Sequence, residues 1–256
     1  MKNRAVLFLG FILMAGMTTA MAQETQSDGG YYEFRFFKMV QGDQGGRFDQ
    51  WAAKAIPILQ RLGCGPVGVF NVVMGPDTPT KVMLLHYNSL AAAEQLWLKA
   101  VADSEWKTAW AAWENAPEQP YLTLDSFLLK ATPYSPPWKA VSDGDPRYFE
   151  LRRYHSPTRR QLAALHERFG GPEKKIFHRS GIVPILYGDT VVGVDMPSLT
   201  YLTPFKTLAD REAAWAKFGA DPEWRTVLAD SIKAGGQIVR NIDFWILRAS
   251  GYSQIK

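Results

Sequence analysis

Ser89-Leu90-Ala91-Ala92-Ala93-Glu94-Gln95-Leu96-Trp97 returns later in the chain as Thr207-Leu208-Ala209-Asp210-Arg211-Glu212-Ala213-Ala214-Trp215. The two stretches share a hydroxyl start, a Leu-Ala pair and a closing tryptophan at an offset of 118 residues. Working outward, Asp103-Ser104-Glu105-Trp106 recurs at the same offset as Asp221-Pro222-Glu223-Trp224, and Leu124-Asp125-Ser126-Phe127 as Ile242-Asp243-Phe244-Trp245. Toward the N-terminus Tyr32-Glu33-Phe34-Arg35 matches Phe149-Glu150-Leu151-Arg152, but at an offset of 117, so one residue has been inserted in between. A period this long exceeds the roughly 20 to 50 residues of a solenoid unit, and each copy has the size of a small independent domain. Two whole domains stand in tandem.

Each copy opens with an aromatic strand, over 31–39 and 148–154, in which bulky residues alternate with Glu and Arg. A helix follows, with Phe48, Trp51, Ala52, Ala55, Leu59 and Leu62 on one stripe and Pro57 placed to kink it; the second copy offers Leu162, Leu165, His166 and Phe169. Strands over 67–74 and 81–87 flank the turn residues Gly75-Pro76-Asp77-Thr78-Pro79, a hairpin signal. Their counterparts fall at 183–187 and 199–203, with a looser connection through Gly188, Gly193 and Pro197. Thr207-Leu208-Ala209-Asp210 fits a capping box. Asp103 and Asp221 signal a second helix start, with Pro222 in the first turn, where its missing N–H costs nothing. Closing strands are expected over 121–130 and 237–248.

The order β-α-β-β-α-α-β, twice, is the ferredoxin-like split arrangement with helices on one sheet face. In Val67-Gly68-Val69-Phe70-Asn71-Val72-Val73-Met74 both alternating sets are largely apolar, which a sheet with one wet face does not need. The other repeat's sheet is the expected cover. The predicted class is therefore α+β, two tandem ferredoxin-like (β-α-β-β-α-β) domains whose sheets pack face to face as a barrel within one chain. The expected division is a signal peptide over 1–22, a tether over 23–30, domains over 31–130 and 148–250 around a Pro-rich linker over 131–147, and a tail over 251–256.

The first 22 residues read as a secretory leader: Lys2 and Arg4 precede an apolar run, and Ala20-Met21-Ala22 is a small-residue cleavage pattern. The run is shorter than the roughly 18 to 20 apolar residues of a membrane span. Export to a periplasmic or secreted location is expected, with no membrane span after cleavage. Removing Lys2 and Arg4 lowers 29 basic residues to 27 against 25 acidic ones, and a net charge near +2 predicts no nucleic-acid partner. Cys64 is the single cysteine, so an intrachain disulfide is excluded and a buried thiol is expected.

The strand openings Tyr32 to Arg35 and Phe149 to Arg152, the Ser/Thr-Leu-Ala helix start, and Asp221-Pro222-Glu223-Trp224 with its weaker copy Asp103 to Trp106 together resemble the NIPSNAP family. The resemblance covers nearly all of residues 31–250. It implies a dimeric α/β barrel of the ferredoxin-like type, and no catalytic residues to carry over. Ser104 in place of Pro222, and the altered segment 170–179, depart from the pattern.

Familiar catalytic patterns do not survive their context. Gly63-Cys64-Gly65-Pro66-Val67-Gly68 fits a dinucleotide fingerprint in letters, but a helix precedes it and a strand follows, the reverse of what pyrophosphate binding requires. Ser104-Glu105-Trp106-Lys107 lacks the partner motifs of the serine enzymes with that spacing. His86, His155, His166 and His178 show no metal-ligand spacing, and neither metal nor cofactor is expected. His166 reads as a core histidine. His86 shares a strand face with Val82 and Leu84 and, facing a barrel interior, could exchange protons near neutral pH. Glu33 with Arg35, and Glu150 with Arg152, share a strand face two residues apart, giving either ion pairs that support the barrel or polar anchors in a cavity. Asp125 and Asp243, at equivalent positions, invite the same two readings. Trp106, Trp110 and Trp113 form a helical stripe expected in the core.

These residues point to a noncatalytic binding or interaction module for a small, largely apolar ligand, monomeric as an intrachain pseudo-dimer, with a higher oligomer as the alternative assembly. The competing expectation is a cofactor-independent barrel enzyme of monooxygenase or isomerase type, with His86, Glu33 or Asp125 moving protons; a third is a packed interior with function on an outer surface.

Overall fold

The computed structural model describes residues 29–140, 144 and 147–256. The expected leader over 1–22 and most of the tether lie outside the described residues. The first copy runs β1 (Tyr31–Lys38), α1 (Gln44–Arg61), β2 (Gly68–Met74), β3 (Thr80–Tyr87), α2 (Leu90–Ala102), α3 (Ser104–Glu114) and β4 (Thr123–Ala131). The second runs β5 (Tyr148–His155), α4 (Arg159–Arg168), α5 (Lys174–Ser180), β6 (Leu186–Val192), β7 (Ser198–Phe205), α6 (Leu208–Ala220), α7 (Pro222–Gly235) and β8 (Asn241–Ala249). Helix starts follow the sequence: Thr207 and Asp210 form a reciprocal capping box, and Asp103 and Asp221 accept from the N–H groups of Trp106 and Trp224. Among the described residues no helix is long and apolar enough to cross a membrane.

The sixth strand departs from expectation. It starts at Leu186 and runs through Gly188 to Val192, because Gly188 is a ladder residue opposite Ala131 rather than part of a connection. A Cβ there would lie 2.8 Å from Leu129 Cβ, so the glycine permits close approach of β4. The turn of this hairpin lies over 193–197, with Asp195 in the left-handed region as Asp77 is in the first copy.

The strands close into one barrel in the order β1-β3-β2-β8-β5-β7-β6-β4. Within each copy the sheet is antiparallel; the antiparallel pairs β2–β8 and β4–β6 join the two sheets along both edges. The sheets thus face each other across an interior and leave no open edge, which removes the unpaired backbone groups that a lone four-stranded sheet would expose.

Closure explains the doubly apolar strands. Phe70 and Val72 point inward to join Phe34, Phe149, Leu151 and Leu202, while Val69 points outward to pack with Phe48, Leu59 and Met83 beneath the helices. The second copy has its own outer core of Leu165, Phe169, Phe177 and Tyr201. Trp106 and Trp113 are buried in the first outer core, as their helical stripe requires. His166 is only partly buried; its Nδ1 lies 2.9 Å from the Tyr134 hydroxyl and its Nε2 3.0 Å from Asp189. The Cys64 thiol is half-buried, and burial pushes it up to about 11.

One end of the barrel is plugged by chain that the sequence assigns to linker and tail. Trp138 packs on Tyr32 at 5.5 Å, Ser135 Oγ lies 3.2 Å from the Tyr32 hydroxyl, and Ile255 is fully buried in the inner core. Arg147 Nε donates to the Lys256 carbonyl at 2.8 Å. Linker and tail are therefore packed against one another.

The inserted residue is also visible. Phe48 and Leu165, both fully buried, still hold the 117 offset, whereas Gly63 and Gly181, at φ 103° and 93°, follow their helices at 118. Between them α1 is one helix containing Pro57, while the second copy has a wide π-type turn, Phe169–Glu173, kinked at Gly171. The kink at Gly171, where the backbone leaves helical geometry, takes up the extra residue between α4 and α5.

Candidate functional site

The recurring Glu-x-Arg pairs lie on the outward strand faces, under α2 and α6, and not in the barrel. Glu33 accepts from Arg35 Nε at 2.7 Å, from the Tyr87 hydroxyl at 2.6 Å and from Ser126 Oγ at 2.9 Å. The Trp97 indole donates to Tyr87, and the Arg35 guanidinium lies 4.2 Å over the Trp97 ring. Burial would raise the Glu33 carboxyl, yet Arg35 and the two hydroxyl donors bring it below its ordinary value. In the second copy Phe205 replaces Tyr87, and Arg211 supplies the lost donor. Glu150 accepts from Arg152 Nε at 2.6 Å, from Arg211 Nε and Nη2 at 2.9 and 3.0 Å, and from the Trp215 indole at 2.6 Å. Both Glu-x-Arg pairs are ion pairs along one strand; in the second copy Arg211 adds an ion pair to α6, and in the first the contact with α2 runs through Trp97.

His86 does face the interior, at the plugged end. Its Nε2 lies 2.8 Å from the Gly29 carbonyl, and its ring sits between Tyr32 and Trp138 at 5.2 and 5.8 Å. Burial lowers its proton affinity, only partly offset by that backbone contact.

The open end is different. Inward positions on β1 and β5 become charged there: Lys38 ends β1, and Arg153 and His155 end β5. Asp125, across from Phe36, takes the Lys38 ammonium at 2.8 Å, and Lys38 also reaches Asp77 at 2.8 Å. Asp243, across from Arg153, receives Arg153 Nη2 at 2.7 Å and faces His155 Nε2 at 2.8 Å. Burial works to raise the Asp243 carboxyl, but Arg153 and His155 outweigh it and hold it below the usual carboxylate range. His155 Nδ1 lies 3.0 Å from the Asp195 carbonyl, so both ring nitrogens are engaged.

The structure thus brings Asp125 and Asp243 to one mouth and leaves Glu33, Arg35, His86, Glu150 and Arg152 elsewhere. Sequence reasoning missed Arg153 and His155 as mouth residues. Their signal was present: they continue the inward set Phe149, Leu151 on the same alternation, where the first copy has Phe36 and Lys38.

Between these groups opens a cavity of about 140 Å³. Its floor is aromatic: Phe36 lies 5.4 Å from Phe127 and 5.3 Å from Trp245. The Arg153 guanidinium sits 5.4 Å from the Phe127 ring and 5.6 Å from that of Trp245. Pro76 and Asp77 from the first hairpin and the exposed Val194 from the second line the opening. His155, Asp195 and Asp243 bring ligand atoms within 4.8 Å of one another, a spacing that could hold a cation, but Arg153 already occupies Asp243. The middle of the barrel is filled, with Phe34, Phe70, Phe149 and Leu151 all fully buried.

The chain belongs to the NIPSNAP family, whose model matches residues 32–136 and again residues 149–254. No curated protein matches it significantly. Among solved structures it is similar to a putative monooxygenase of Fusobacterium nucleatum, with TM-score 0.60 and 10% identity over 86% of this chain and 93% of that one. An anthrone oxidase-like protein aligns with TM-score 0.55 and 13% identity over 88% and 93% of the two chains. A chlorite dismutase of Candidatus Nitrospira defluvii gives 0.52 and 11% over 87% and 91%. At such identities the likeness is one of fold.

Proposed function

We propose that this chain is an exported, noncatalytic binding module that takes one small, flat, largely apolar molecule at the open mouth of its barrel, as a monomer. The observation that carries the reading is the aromatic floor of Phe36, Phe127 and Trp245 beneath a cavity of about 140 Å³. Apolar cavities of about 150 Å³ accept a benzene-sized guest. Arg153 above two of the rings supplies a donor for a polar substituent, and the ion pairs of Lys38 with Asp77 and Asp125 form a rim that orients it. Monomeric action is supported by a barrel that completes its own sheet within one chain. Export rests on the leader-like residues 1–22 alone.

Binding is preferred to catalysis because the polar groups near the floor are committed to one another. Ser126 donates to Glu33, and His155 is held at both nitrogens. The enzyme reading is favoured by one observation: the Asp125 side chain is 59% exposed at the mouth, open to a substrate proton. The monooxygenase named among the similar folds lends it analogy of fold only.

The test is a titration of the protein with phenol, followed by NMR at the Trp245 indole N–H. Saturable shifts centred on Trp245 support the mouth as the site; shifts confined to other tryptophans, or none up to the solubility limit, sink it. Turnover of a bound aromatic that Asp125→Asn abolishes would move the assignment to the enzyme reading.

A further inference from the structure

The two copies differ in how they fill the space between their first and last helices. In the first copy Trp51 stacks on Trp113 at 4.2 Å, with Trp110 at 5.6 Å and Trp106 at 6.1 Å from Trp51, and only about 130 Å³ remains between α1 and α3. At the 117 and 118 offsets the second copy places Arg168 at Trp51, Ser231 at Trp113, Leu228 at Trp110 and Val239 at Tyr121, keeping only Trp224 for Trp106. Four large aromatic side chains are thus exchanged for smaller or polar ones on the same scaffold. The result is a groove of about 620 Å³ bounded by Trp224, Leu228, Ile232, Ile238 and Ile242. Helix α7, which forms one wall, buries none of its residues.

The groove has a charged base. Arg168 and Glu173 line it, 9% and 1% exposed, and Arg168 Nε donates to Glu173 Oε2 at 2.7 Å. Glu173 stands at the end of Phe169–Glu173, the kinked segment that takes up the inserted residue. The guanidinium lies 5.2 Å from the Trp224 ring. Among the described residues its Nη atoms make no further hydrogen bond, and neither does the second oxygen of Glu173. None of these atoms is among the buried side-chain atoms left without a partner, so they keep contact with solvent in the groove, where a ligand can meet them. Arg240 adds a second positive charge to the lining.

We propose that this groove is a second ligand site, for an amphipathic molecule with a carboxylate head and an unbranched apolar tail. The head meets the Nη donors of Arg168 as a planar, bidentate partner. Glu173 holds the guanidinium in place and is a positioning residue. The tail lies along Trp224, Leu228, Ile232 and Ile242, and the volume falls in the range of small-molecule pockets, roughly 300 to 1,000 Å³. The first copy cannot bind the same molecule, because its tryptophans occupy the space. The site is independent of the barrel mouth.

Calorimetric titration of the protein with decanoate, decan-1-ol and decyltrimethylammonium tests it. Decanoate is expected to bind one to one and tighter than either other probe. Arg168→Met, made together with Glu173→Gln so that no carboxylate is left buried alone, should weaken decanoate about tenfold or more while leaving decan-1-ol within about twofold. Leu228→Trp, which returns the first copy's residue, should weaken decanoate and decan-1-ol alike; Val239→Tyr narrows the same groove should that variant not fold. Failure of decanoate to bind, preference for the cation, or binding that these variants leave intact overturns the proposal. So does binding that is lost on Val194→Phe at the mouth instead.

Discussion

The Trp215 indole N–H donates to Glu150 at 2.6 Å, anchoring α6 to a carboxylate that is wholly removed from solvent. Arg152 and Arg211 satisfy the rest of that carboxylate. Glu150→Gln leaves two guanidinium groups short of a charge partner and is expected to cost about 3 to 5 kcal/mol, as for breaking other buried pairs. Glu33→Gln should cost less, since the Glu33 side chain is 14% exposed and faces one arginine. Urea denaturation of both variants checks the order; equal costs would mean that burial does not set it.

Val194 is 65% exposed and lines the mouth cavity. Val194→Phe should fill the cavity from outside with a stability change within about 0.5 kcal/mol, as for other surface substitutions. Phenol-induced shifts at Trp245 should disappear in this variant. Their persistence would place the phenol elsewhere.

Asp243 has a folded-state proton affinity below its ordinary value, through Arg153 and His155 against the cost of burial. Its contribution is therefore present above about pH 3.8 and is lost as pH falls through the still lower folded value. With the side chain 31% exposed, solvent screening limits this to about 1 kcal/mol or less. Asp243→Asn should flatten the acid limb of a stability profile by that amount, and an unchanged limb would assign acid sensitivity to other carboxylates.

Glu173 has the opposite sign. Burial raises it to about 7 against the pull of Arg168, and Tyr134, Tyr154 and Tyr187 are the other titratable groups that feel its charge. Between about pH 4.5 and 7 the folded state holds a proton that the unfolded state has released, so stability falls as pH rises through that window. The loss is about 1 to 3 kcal/mol. In Glu173→Gln this slope should vanish in thermal melts across the window; a retained slope would trace it to another group.

Gly188→Ala probes the seam between the copies. The new methyl would meet Leu129 Cβ at 2.8 Å across the β4–β6 pair. Overpacking of this kind costs about 1 to 3 kcal/mol. A denaturation midpoint equal to that of the parent protein would mean that the seam is loose enough to yield.

Much of the fold was legible along the chain. The duplication showed as self-similarity at a fixed offset, and local signals sufficed for the strand and helix order and the N-caps at Thr207, Asp103 and Asp221, because these depend on residues a few positions apart. The doubly apolar strand over 67–74 required a second cover, and that was enough to imply a two-sheet barrel.

Alternation divides a strand into two faces but does not say which face meets the helices when both are apolar, and that choice only the tertiary structure made. It turned Glu33, Arg35, Glu150 and Arg152 outward to the helices, set His86 against the linker plug, and paired Arg153 and His155 with Asp243 through the register of β5 on β8. It also converted four scattered aromatic replacements and one inserted residue into a single groove. Sequence by itself determined which elements form, since hydrophobic period and capping act locally. Where the chain opens to a ligand was decided by barrel closure and packing, since a site is made by residues that meet only after the strands have found their register.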